Sequence, residues 1–143
     1  MNPTVKKLRK LSDFLETLKI GSIVAKFTTN GADATEQLNS AAGFQIVTSR
    51  PELQHSSGGD SLGAVIFVLD RSLGNGRTAN KENRQYGDLL ELVSDVLTAI
   101  EHSTDNPTCA TSLLGLDLTS YDITPELSIF GGWLGWSIEL NFE

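Results

Sequence analysis

The chain has 143 residues, enough for one domain with a single core and too few for two. Eleven Lys and Arg against eighteen Asp and Glu leave a net charge of −7, and the sum is unevenly spread. Residues 1–26 carry six bases and two acids, whereas residues 85–143 carry ten acids and no Lys or Arg. A surface of that kind repels phosphate and excludes a groove-reading nucleic-acid binder. The longest mostly apolar run, Leu62–Leu69, has eight residues, short of the ~20 needed to span a bilayer. Asp13 and Glu16 interrupt any apolar signal core after the basic N-terminus, so no membrane partner is expected. Proline follows both Asn2 and Asn106, which blocks Asn-x-Thr glycosylation, and the lone Cys109 has no disulfide partner. Synthesis in the cytoplasm is the consistent expectation.

In chain order, Val5, Leu8, Leu11, Leu15 and Leu18 recur at helical spacing and predict a helix over 3–19 that stops near Gly21. Ile23 to Thr28 reads as a strand ended by Thr29-Asn30-Gly31. Residues 29–42 are small and polar and predict a loop with at most one helical turn, anchored by Leu38. Phe44 to Thr48 is a short strand stopped at Arg50-Pro51, because proline pushes its predecessor out of regular helix. A second loop is expected over 52–61, around HSSGGD. Leu62–Leu69 is apolar on both faces and belongs in the middle of a covered sheet.

A third polar loop covers 70–80. Asn80 is the expected N-cap of a second long helix over 81–102, with Leu89, Leu92, Val93, Val96 and Ile100 as its core stripe. A turn at 104–109 leads to a strand over 113–121, with Leu114, Leu116 and Leu118 on one face. Residues 129–132 turn the chain back into a strand over 133–142, where Leu134, Trp136, Ile138, Leu140 and Phe142 alternate with smaller or polar residues. The order α-β-β-β-α-β-β predicts an α+β domain: a mostly antiparallel sheet of about four to five strands with two main helices packed on it.

Catalytic and ligand motifs are thin. Gly74-Asn75-Gly76 lies before a helix but carries only the first half of a dinucleotide-loop glycine pattern and lacks its third glycine, so it reads as a flexible loop. His55 and His102 have no partner at metal-ligand spacing, and His102 suits the C-terminal end of a helix. No cation lies near Cys109 in sequence to activate its thiol. Asp88, Glu91 and Asp95 share one helical face, which without a histidine reads as a solvated acidic face more readily than a metal site. Asp117 and Asp122 read as exposed strand positions. No enzymatic activity, metal or cofactor is expected. Long loops, a short edge strand and segregated charge instead suit an assembly subunit.

The stretches VIFVLDRSLGN (65–75), YGDLLELVSDVLTAI (86–100) and GWLGWSIELNF (132–142) make residues 62–142 resemble the Mu-type tail terminator proteins of contractile-tailed bacteriophages. The first 60 residues fit only in element order. The resemblance implies a virion structural protein that forms a hexameric ring on the end of the tail tube. It implies contacts with the tail tube protein, the tail sheath protein and a neck or connector protein. DNA would pass through the ring without specific binding, and the ring would stop tail polymerisation. Asp88, Glu91 and Asp95 would then face the lumen, where carboxylates let a duplex slide. Arg71, Arg77 and an exposed Trp133 are the expected subunit or tube contacts. A head–tail connector subunit and a small acidic ligand-binding domain are the alternative readings.

Overall fold

The computed structural model describes residues 3–73, 78–105 and 118–142. Arg77, the Gly74-Asn75-Gly76 motif, Asn106-Pro107, Cys109, Leu114, Leu116 and Asp117 lie outside the described residues. Helix α1 (Pro3–Glu16) opens the chain, followed by two short strands, β1 (Lys19–Ile20) and β2 (Ile23–Val24), which pair antiparallel. The leucine stripe drives α1 onto the core, where Leu11 and Leu15 are fully buried. It ends earlier than expected, because Gly21 serves the β1–β2 turn rather than a helix stop, at φ +59°.

The strand expected over 23–28 is divided at Ala25, whose backbone N–H donates back to the Leu18 carbonyl, so that β3 (Lys26–Thr28) starts afresh. The segment expected as a loop contains a full helix, α2 (Gly31–Leu38). Asn30 stands at its N-cap in extended conformation and its side chain accepts from the Asp33 N–H at 2.9 Å. The Asp33 carboxylate in turn accepts from the Thr29 N–H at 2.9 Å. This reciprocal cap satisfies two backbone donors and holds a helix whose small, polar composition hid it.

Strand β4 (Gln45–Ser49) is followed by the expected break at Arg50-Pro51 and by β5 (Glu52–Ser56). Here the second expected loop is a hairpin instead. β5 pairs antiparallel with the first residues of β6 (Gly59–Arg71), from Glu52 opposite Gly63 to Ser56 opposite Gly59, with Ser57-Gly58 as the turn. Gly59, at φ +124°, supplies the backbone conformation that the reversal needs. Helix α3 (Ala79–Asp105) starts earlier than expected. Thr78, not Asn80, caps it, its hydroxyl accepting from the Lys81 N–H. The penultimate strand, β7 (Leu118–Ile129), overlaps the expected strand only over its first four residues. The last, β8 (Trp133–Phe142), falls where the alternation placed it.

The domain is α+β, with a six-stranded mixed sheet in the order β3-β4-β6-β8-β7 and β5 paired beside β4 on the same side of β6. Only β3 and β4 run parallel; the other pairs are antiparallel. Thirteen-residue β6 is the spine, pairing with β4 and β5 along one side and with β8 along the other. One face carries Ile46, Leu62, Ile66, Val68, Ile138 and Leu140 beneath α1 and α3, forming the main core. α1 lies over β3 and β4, and α3 lies over β6 and β8. On the opposite face Val47, Leu69 and Trp133 pack under α2 with Ala34 and Leu38 as a second core. The apolar character of Leu62–Leu69 on both faces thus has a cover on each.

Candidate interaction surface

Asp88, Glu91 and Asp95 are all exposed on α3, on the arc away from its buried stripe of Leu89, Val93, Val96 and Ile100. They form an open acidic flank rather than a closed cluster. Asp122 is likewise exposed, on β7. His55 and Asp60 meet across the β5–β6 hairpin, Nδ1 against Oδ1, with the imidazole 83% exposed, so the pair staples a turn rather than forming a buried dyad.

Two of the expected contact residues are used inside the chain. Trp133 does point to the face opposite Trp136, as alternation requires, but it is not an exposed contact indole. It is 1% exposed, because α2 lies over that end of the sheet. Arg71 works with it. Its guanidinium carbon stands 4.6 Å from the centre of the Trp133 ring. One nitrogen, Nη2, donates to the carbonyls of Leu38 at 3.0 Å and of Asn39 and Ala41 at 3.3 Å. Those carbonyls close the C-terminus of α2, where the last turn leaves acceptors unpaired and the helix dipole favours a cation. Arg71 therefore clamps α2 to the sheet while remaining exposed.

A different surface emerges at the far edge. Tyr86 of α3 donates its hydroxyl to the Glu126 carbonyl of β7 at 2.7 Å, and its ring meets Trp136 edge-on at 5.6 Å. Trp136 returns a hydrogen bond from its indole nitrogen to the Tyr86 carbonyl at 3.0 Å. This lock fixes which flank of α3 faces β7. Leu90, one turn after Tyr86 on the same flank, is 42% exposed. Tyr121 and Ile123 pair with Leu140 and Ile138, so they share the helix-covered face but project beyond α3, at 42% and 37% exposed. Leu127 continues the strip at 46%, beside a register shift between Glu126 and Ile129. Four of the seven exposed large apolar side chains among the described residues thus lie along one edge.

The strip had a sequence signal. Tyr121, Ile123 and Leu127 sit at odd positions, with Asp122, Thr124 and Glu126 between them. Placing the strand at 113–121 cut that alternation at its first residue. Pro125 lies within β7, as an edge strand allows. Comparison with protein families, curated proteins and solved structures returns no match for this chain.

Proposed function

We propose that this chain is a structural assembly subunit of the phage tail-terminator kind, a ring-forming cap on the end of a contractile tail's tube and sheath. The observation that carries the reading is the exposed apolar strip of Leu90, Tyr121, Ile123 and Leu127 along an edge strand of twelve residues. Apolar side chains gathered at the end of a sheet are a surface for another protein, since alone they invite uncontrolled association. In this reading the acidic flank of Asp88, Glu91 and Asp95 lines the passage and keeps phosphate from adhering as DNA moves through. The remaining sheet face and loops meet tube, sheath and neck proteins.

The test is direct. Purified protein is added to tail-tube protein polymerising in vitro, and the tubes are imaged by negative-stain electron microscopy. The expected result is a ring at one tube end and arrested growth. Tubes that lengthen unchanged and carry no cap would overturn the reading.

A further inference from the structure

The two ends of the sheet are unlike in charge and complementary. At one end, residues 118–142, which hold β7 and β8, contain Asp122, Glu126 and Glu139 and no Lys or Arg. At the other, residues 19–28, which hold β1 to β3, contain Lys19 and Lys26 and no acid. Helix α1, which carries four bases and two acids, lies over this second end, with Lys6 and Arg9 exposed and Asp13 and Glu16 exposed on its last turns. Facing is matched as well. Asp122 pairs with Glu139, on the face opposite α3. Lys26 pairs with Val47, which puts it on that same face at the other end. On the helix-covered face the acidic end carries the strip of Leu90, Tyr121 and Ile123, and the basic end carries α1; Val24, 56% exposed, stands just before β3.

We infer that the β7 edge of one copy docks on the β3 edge of the next, head to tail, with Asp122 and Glu139 meeting Lys26 on one face and the Leu90–Tyr121–Ile123 strip meeting the α1 flank on the other. This deepens the ring reading on which it rests. Contact between two different patches of one chain repeats head to tail and gives a ring where the rotation closes and a filament where it does not, whereas a patch that meets itself gives only a dimer. Self-pairing of the β7 edge is disfavoured: it would set Asp122 and Glu126 of β7, with Glu139 of β8 beside them, against their own copies. Side chains rather than a continuous backbone ladder make the contact. Pro125 and two register shifts interrupt β7, and on β3 the Phe27 carbonyl already accepts from Gln37 Nε2 at 3.1 Å.

Charge exchange tests the pairing. Lys26→Glu and Asp122→Lys change exposed or half-exposed side chains, and unchanged far-UV circular dichroism melts check that both variants fold. Association is followed by sedimentation velocity and, on tail tubes, by counting ring caps in micrographs. Each variant alone places like charges at every joint and is expected to weaken association at least about tenfold. An equimolar mixture restores an opposite-charge pair at every joint if copies alternate, and is expected to recover most of the association. Association by the wild type that neither variant weakens, or that mixing fails to restore, overturns this interface and leaves the ring reading standing. A wild type that stays monomeric up to its solubility limit and forms no caps on tubes overturns both.

Discussion

Gly135 and Gly63 lie in adjacent paired strands of the same sheet, yet replacing each by alanine should have opposite outcomes. Gly135 faces Leu69 across the β6–β8 ladder at φ +154°, and a Cβ there would stand 2.0 Å from the Val68 carbonyl oxygen and 3.0 Å from Leu69 Cα. Carbon and carbonyl oxygen rarely approach closer than about 3.3 Å, so the strands must part by more than about 1 Å. The obstacle is backbone, which cannot swing aside. Separation there would cost ladder hydrogen bonds at about 1 kcal/mol each and loosen Leu69 and Leu134, both fully buried. Together with the packing loss, Gly135→Ala is expected to cost more than about 3 kcal/mol. At Gly63 the nearest atoms would be the Leu140 carbonyl oxygen at 3.7 Å and Asn141 Oδ1 at 3.8 Å, ordinary contact distances. Gly63→Ala should therefore be neutral or stabilising by up to about 1 kcal/mol, through a less flexible unfolded chain. Urea unfolding followed by circular dichroism and by the fluorescence of Trp133 and Trp136, which flank Gly135, measures both. A Gly135→Ala midpoint close to wild type, or equal losses at the two glycines, would refute the steric argument.

Arg71→Met removes the clamp on α2 and is expected to cost about 1–3 kcal/mol, and Arg71→Lys should recover less than half, because an ammonium cannot keep both the stacking plane and the fork. Urea titrations of the three proteins give the comparison, and an Arg71→Lys variant as stable as wild type counts against the clamp. Asn30→Ala should cost about 1 kcal/mol and raise amide exchange at Asp33, the donor it leaves unpaired. Tyr86→Phe, which deletes the hydrogen bond to the Glu126 carbonyl, should cost about 1 kcal/mol and speed exchange in β7 over its neighbours.

What could be read from the sequence depended on whether the signal was periodic or chemical. β8 was legible residue by residue because one side of it is core along its whole length, and α3 because Leu89, Val93, Val96 and Ile100 keep helical step. α2 was not, since of its eight residues only Ala34 and Leu38 are buried and its existence rests on the Asn30–Asp33 cap and on Arg71, thirty-three residues beyond Leu38. The β5–β6 hairpin was hidden for a related reason: Glu52 to His55 are all exposed, so no apolar alternation marks them. Pairing with β6 makes that strand, not its own composition.

The same distinction explains why the expected contact residues moved. Arginine and tryptophan are frequent in interfaces because they combine flat, apolar area with directed hydrogen bonds. A small helix with few apolar residues needs that combination to stay on its own sheet. Arg71 and Trp133 are consumed there, within 4.6 Å of each other, and the covering helix turns the indole from surface to core. The surface left for partners consists of plainer residues, Leu90, Tyr121 and Ile123, whose significance is positional: they are exposed where the sheet ends. In the proposed assembly, folding and association rest on separate side chains. Substitutions at Arg71, Trp133 or Gly135 should lower stability first and association only through it. Ile123→Asp, at a strand position 37% exposed, should cost no more than about 1–2 kcal/mol of stability while abolishing the proposed ring. A variant at Ile123 that unfolds early, or one that caps tubes as well as wild type, would break that separation.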